Sequence, residues 1–333
     1  MHARQLGSSD VKISPIIFGA WAIGGWLWGG TNDQDALDAI RASIDHGVTT
    51  IDTAPVYGFG LSETLVGQAI KGRRDQVVIA TKCGNRWDSE EGSGTWHDQD
   101  LTGKAVTIRR NSRPEAILWE CEQSLKRLGI DVIDLYQIHR PDTDTPVEIS
   151  MRALEKLHQQ GKIRAVGVSN FPLDWLQLAH AAFPLASNQP HYSIIQREIE
   201  RDVLPFSRER NIATLAYSPL ERGLLAGAVG PDRKFPESDH RSRHKFFSVE
   251  NRKRIADALA RIKPIADAHN ASFAQAIIQW TIHQPGITAA IVGARNAQQA
   301  EHNARALQHS FSQDEFAQIR SAFDACAAAM TAG

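Results

Sequence analysis

Short apolar runs alternate along this chain with longer segments in which apolar residues recur every three or four positions. The short runs predict strands at 16–18, 49–51, 77–81, 133–138, 165–168, 186–189, 212–216 and 289–292. The longer segments predict helices at 33–45, 63–70, 114–128, 146–160, 173–181, 203–208, 250–269, 272–283 and 297–307. In the first of these, Ala36, Leu37, Ile40 and Ile44 share one face. Pro114 suits a first helical turn, and Gly129 and Gly161 supply helix stops.

Every predicted strand is followed by at least one helix, which implies a parallel sheet. Eight such units in 333 residues favour a closed (β/α)8 TIM barrel, an α/β fold, over an open doubly wound sheet. The open sheet would carry a GxGxxG turn after its first strand, and Gly19, Gly24 and Gly25 lack that spacing. Long irregular loops are expected after the third strand (84–113) and the seventh (218–248), with an extra C-terminal helix. The whole chain, 1–333, is expected to form a single barrel domain.

Composition narrows the function classes. The formal net charge is −1, so neither a nucleic acid nor a membrane surface is an expected partner. The stretch from Lys12 to Asp33 has no charged residue between its ends, yet Pro15 and five glycines argue against a membrane span. Cys83, Cys121 and Cys326 form neither a disulfide framework nor a zinc spacing, so no metal is expected and a cytoplasmic location is. The protein is expected to be a monomer or weak homo-oligomer that acts on a small molecule.

Chemistry concentrates where predicted strands end. The second closes at Asp52, the third at Lys82 and the fourth at His139, while Tyr57 lies in the loop after the second. In a barrel such positions face one mouth. An ammonium beside a phenol strengthens it as an acid, a carboxylate keeps the ammonium charged, and an imidazole can bind the same carbonyl oxygen. The set polarises a carbonyl but holds no redox equivalent, so it implies a bound hydride donor.

Six stretches then resemble the aldo-keto reductase superfamily: IDTAPVYG at 51–58, SETLVGQAI at 62–70, IATK at 79–82, LYQIHRPD at 135–142, GKIRAVGVSNF at 161–171 and AYSPLERGLL at 216–225. The resemblance implies an NADP(H)-dependent carbonyl reductase with the catalytic tetrad Asp52, Tyr57, Lys82 and His139, Tyr57 being the general acid. It implies that Ser169, Asn170 and Gln189 hold the nicotinamide carboxamide and that Tyr217 stacks on the nicotinamide ring. Ser218, Pro219, Leu220 and Gly223 would line the pyrophosphate, and Trp21 would also meet the cofactor. Gly293, Arg295, Asn296, Gln299 and Asn303 would form the adenosine-phosphate site, with Arg295 on the ribose 2′-phosphate. His302 stands where relatives usually carry Glu against the adenine.

Trp21 and Trp87 are the expected pocket walls, with Asn85 and Arg86 as polar neighbours for substrate hydroxyls. The pattern is most similar to the bacterial glyceraldehyde reductase and NADP-dependent glycerol dehydrogenase branch, which implies a small hydroxy-aldehyde or polyol substrate. Alternatives are a reductase of larger aromatic or sugar-like carbonyls, or a cofactor-binding regulatory protein of the potassium-channel β-subunit type. A non-redox barrel enzyme with Lys82 as Schiff-base nucleophile is a further rival. None of the tyrosines has Lys four places on, and 167–171 lacks the second glycine of GxSxG, which removes two other enzyme classes.

Overall fold

In the computed structural model, which describes residues 3–236 and 239–331, eight parallel strands close into a barrel. They are β1 (Ile16–Gly19), β2 (Thr50–Asp52), β3 (Val78–Cys83), β4 (Ile133–Ile138), β5 (Ile163–Ser169), β6 (Ser187–Gln189), β7 (Ala213–Tyr217) and β8 (Ile287–Gly293). Each strand pairs with the next in sequence, and β8 pairs with β1 to remove the edges. Inward-facing Ile17, Ala80, Leu135, Ala165, Leu215, Ala289 and Ile291 fill the lower barrel. Leu6, Val11 and Ile13, on and beside a small antiparallel pair formed by Arg4–Gln5 and Lys12–Ile13, join that cluster as a plug. The sequence pattern did not reveal this pair, because two-residue strands have no measurable periodicity.

The surrounding helices are α1 (Asp33–Asp45), α2 (Leu61–Ala69), α3 (Pro114–Leu128), α4 (Val147–Gln159), α5 (Leu173–Ala182), α6 (Val203–Glu209), α7 (Val249–Ala268), α8 (Phe273–Ile282), α9 (Ala297–Ala304) and α10 (Gln313–Thr331). Predicted and observed cores agree, with differences at the ends. The segment predicted as one helix at 297–307 is α9 followed by a 3-10 turn at Arg305–Gln308. The extra C-terminal helix, α10, packs against α7 and shares a second core with α8 through Phe316, Ile319 and Phe323.

The loop after β3 is more ordered than its composition suggested. Within 84–113, Ser93–Gln99 and Ala105–Arg110 pair antiparallel, and Asn85–Arg86 adds a third strand. The reversal is held by Asp100, whose carboxylate accepts from the backbone N–H groups of Thr102 and Lys104. The residues of the first arm are almost all polar, so no apolar alternation marked it as a strand. The loop after β7 contains 3-10 turns at Glu221–Ala226, His240–Arg243 and Lys245–Phe247.

Candidate active site

The register across the barrel explains why residues far apart in sequence meet. Gly19 lies beside Asp52 and Asp52 beside Ala80, whereas Lys82 is level with Gln137, Gln137 with Gly167, and Gly167 with Ser187. Since side chains alternate in and out, the inward residues above the apolar lower layer are Asp52, Lys82, Gln137 and Gln189. The upper layer of the barrel is polar, and it sits at the C-terminal mouth.

Lys82 Nζ donates to Asp52 Oδ1 at 2.6 Å and to the Thr53 carbonyl at 2.9 Å, with both side chains buried. Burial opposes the Lys82 charge, but Asp52 and then Tyr57 outweigh it, and the ammonium pKa is raised. A lysine held protonated is a poor nucleophile, so this geometry does not suit Schiff-base chemistry at Lys82. The Tyr57 ring centroid lies 5.1 Å from Lys82 Nζ. Burial lifts the phenol above its ordinary value, while the ammonium pulls the other way. The expected net lowering by Lys82 is thus not reached, because desolvation is the larger effect.

His139 follows β4 directly, and its backbone N–H donates to the Cys83 carbonyl at 2.9 Å. Its ring stands edge-on to Tyr57, with centroids 5.7 Å apart. Burial, with Lys82 and Arg140 nearby, holds its pKa well below the ordinary imidazole value, so the ring is neutral and can donate or accept one hydrogen bond. The three residues expected at strand ends and Tyr57 from the loop after β2 are therefore brought together at one mouth.

Local sequence fixes the Tyr57 loop. Ser62 Oγ donates to the Ala20 carbonyl at 2.8 Å and pairs with Thr53 Oγ1, tying the start of α2 to the end of β1. Buried Glu63 accepts from Thr81 Oγ1 and from Arg127 Nε, both at 2.6 Å. Gly58 has φ +65°, and a Cβ there would lie 2.2 Å from the Gly24 carbonyl oxygen. The Tyr57 turn thus packs directly on the loop after β1.

The residues expected to meet a cofactor form a continuous band along β5–β8. Ser169 Oγ donates to the Gln189 carbonyl, and Asn170, at φ +60°, donates through Nδ2 to the His139 carbonyl. Tyr217 Oη donates to Asn170 Oδ1 at 2.8 Å. One face of the Tyr217 ring is covered by His191, parallel within 8° at 5.1 Å. Beyond it the backbone is left-handed at Ser218 and again at Glu221–Gly223. That turn is anchored by buried Glu221, which accepts from Ser193 Oγ at 2.5 Å and His191 Nε2 at 2.9 Å. Although burial opposes ionisation, His191, Ser193 and Arg222 together hold the Glu221 carboxyl below the usual carboxylate range.

At β8, Asn296 caps α9 by accepting from the Gln299 backbone N–H, and Gln299 Oε1 accepts from the Arg295 N–H. Asn303 donates to the Gly293 carbonyl. The exposed Arg295 guanidinium donates to the Gly30 carbonyl at 2.8 Å, linking this loop to the one after β1. His302 pairs through Nε2 with Ser272 Oγ, the N-cap of α8.

A nicotinamide dinucleotide fits this donor set. The half-buried Tyr217 ring is backed on one face, and the Gln189 amide makes its hydrogen bonds through Nε2, leaving Oε1 without a donor among the described residues. At Gly223 a Cβ would meet no atom within 4 Å, so the turn has open space beside it.

Aromatic residues surround the mouth. Trp21 lies 6.3 Å from Tyr57 and 5.3 Å from Trp28 between ring centroids. Trp87 packs edge-on to Phe59, and Trp26 stacks on Trp96 from the unforeseen hairpin, in one cluster with Tyr57. Arg86 does not face this pocket. It pairs with Asp88 at 2.6 Å and lies 4.2 Å over the Trp119 ring on the outside of the barrel. Sequence reasoning missed Gln137, His191 and Glu221. For Gln137 the signal was a polar residue two places after the inward-facing Leu135, at the same parity.

A family model described as the aldo/keto reductase family matches residues 15–324. The chain is 38% identical to the aldo-keto reductase YhdN of Bacillus subtilis over 90% of its length and 87% of the relative's. It is 35% identical to an NADH-specific methylglyoxal reductase of Escherichia coli, with 94% and 95% covered. Among solved structures, the glycerol dehydrogenase AKR11B4 from Gluconobacter oxydans superposes with a TM-score of 0.86 at 37% identity, covering 96% of this chain and 94% of that one.

Proposed function

The chain belongs to the aldo-keto reductase family of oxidoreductases, and from that premise we propose that it is an NADP(H)-dependent reductase of small aldehydes and ketones. In the reverse direction it oxidises the corresponding polyols. Glyceraldehyde, methylglyoxal and glycerol are the substrate class, in line with the names of the glycerol dehydrogenase and methylglyoxal reductase relatives. The protein works in the cytoplasm as a single barrel domain.

The observation that carries this reading is the convergence of Lys82, Tyr57 and His139 at one mouth, with Asp52 fixing Lys82 at 2.6 Å. When bound, the nicotinamide supplies a hydride to the carbonyl carbon. Tyr57 donates its proton to the oxygen as charge develops there, and the Lys82 ammonium stabilises the phenolate left behind. Asp52 keeps Lys82 charged and in place. Neutral His139 binds the carbonyl oxygen and orients it, since an imidazole with a depressed pKa is a hydrogen-bonding group rather than an acid at neutral pH. Trp21 and Trp87 exclude water from the reacting carbonyl. Arg295 is placed to exchange its carbonyl partner at Gly30 for a 2′-phosphate, to which a guanidinium offers two parallel donors.

Titration with NADPH and with NADH, followed by protein fluorescence, tests the reading. Tighter binding of NADPH, with NADPH-linked reduction of glyceraldehyde or methylglyoxal, is the expected result. A preference for NADH would remove the role of Arg295, and binding of neither cofactor would overturn the reading.

A further inference from the structure

We infer that Gln137 is a positioning residue that sets the direction in which the Gln189 amide faces the cofactor. The inference rests on the reading above, in which Gln189 meets the nicotinamide carboxamide. Gln137 is fully buried on β4, between Lys82 on β3 and Gly167 on β5. It has no route to solvent, so its amide must find partners inside the barrel.

The partners follow from charge. Asp52 is ion-paired with Lys82 and is an acceptor at both oxygens. Oδ1 takes the ammonium, so Oδ2 requires other donors. Gln189 Nε2 lies 2.8 Å from Oδ2 and Gln137 Nε2 lies 3.4 Å from it. With its NH2 turned to Asp52, Gln137 presents Oε1 on the other side, 3.5 Å from Gln189 Nε2. The Gln189 NH2 therefore sits between two acceptors, one for each of its hydrogens. Reversing this amide would set a carbonyl oxygen against a carboxylate and another carbonyl. The Gln189 carbonyl oxygen is thereby committed to the mouth as an acceptor, matched to a ligand that offers an N–H. A carboxamide NH2 is such a ligand.

The barrel makes room for this arrangement at one place. A Cβ on Gly167 would lie 3.0 Å from Gln137 Cγ and 2.3 Å from Ser187 Oγ. A residue without a side chain at 167 leaves room for the Gln137 side chain beside Asp52. Gln137 touches neither the proposed cofactor nor the substrate; it acts through Asp52 and Gln189.

The test compares NADPH with reduced 3-acetylpyridine adenine dinucleotide phosphate, which keeps the ring carbonyl but has a methyl group in place of the NH2. Fluorescence titration of the wild type should show the analogue binding about tenfold more weakly than NADPH, the loss of one good hydrogen bond. In Gln137→Met, of similar length and without polar atoms, the Gln189 amide loses one of its two acceptors and keeps only Asp52, so its orientation is less strongly held and the ratio should fall to about threefold or less. Gln137→Glu keeps an acceptor toward Gln189 and should retain most of the wild-type ratio. If the methionine variant does not fold, Gln137→Leu reads the same quantity. A packing defect alone would weaken both cofactors equally and leave the ratio unchanged, which would overturn the inference, as would a wild-type ratio near one. If the wild type binds neither dinucleotide, the cofactor reading itself fails and the inference falls with it.

Discussion

At the scale of single residues, the site is governed by how burial and neighbours set proton affinity. Tyr57 is lifted by burial and restrained by Lys82, so the phenol is protonated at neutral pH, as the proposed general acid must be. Tyr57→Phe should lower kcat by about 100- to 10,000-fold while NADPH binding stays within a few-fold, measured by steady-state rates and fluorescence titration. Equal loss of binding and turnover would show the phenol to be structural. A second buried acid lies outside the site. Glu120 accepts from the Gly84 N–H at 2.9 Å, and burial pushes its carboxyl from 4.5 up to about 8. Between those values the folded chain keeps a proton that the unfolded chain has released, so stability falls as pH rises through that window. Glu120→Gln has no such titration. Its stability relative to the wild type should increase between pH 5 and pH 8, by roughly 1–4 kcal/mol in urea unfolding. An unchanged difference at the two pH values would exclude this role.

At the scale of elements, the loops after β1 and β2 are locked where Gly24 and Gly58 cross. Gly58→Ala adds a methyl 2.2 Å from the Gly24 carbonyl oxygen as well as left-handed strain. It should destabilise the protein by about 1–3 kcal/mol and lower kcat by displacing Tyr57. Gly72→Ala is the control, with φ +77° and open space around the added methyl, so it carries the backbone strain alone, about 1 kcal/mol. Urea unfolding and steady-state rates of the two variants separate the contributions. The hairpin at Ser93–Gln99 and Ala105–Arg110 belongs to this scale too: it brings Trp96 against Trp26 and so buttresses the mouth.

At the scale of the whole molecule, two cores are stacked outside the barrel strands. One lies between the strands and α1–α6, with α8 and α9; the other joins α7, α8 and α10 behind the loop after β7. Removing 312–333 would strip Phe316, Ile319 and Phe323 from the second core and expose the apolar side of α7. The truncated chain should unfold at a lower temperature and bind a hydrophobic dye, tests readily made by thermal scans and fluorescence. An unchanged melting temperature would make α10 an appendage rather than part of the fold.

The strand–helix alternation was enough to give the barrel, because each unit's apolar period is imposed by which face it must bury. The residues Asp52, Lys82 and His139 were legible for the same reason: a polar residue closing an apolar strand has few places to go except the mouth. The N-terminal pair and the polar hairpin after β3 were not legible, since their strands are held by backbone pairing and turn contacts rather than by a periodic apolar face. Only the tertiary structure decided that Arg86 faces outward, that burial outweighs Lys82 at Tyr57, and that His191 backs Tyr217. It alone brought Gln137 within hydrogen-bonding reach of Asp52. Those outcomes depend on register between strands and on distances across the barrel, and both are set by closure of the whole sheet rather than by any one segment.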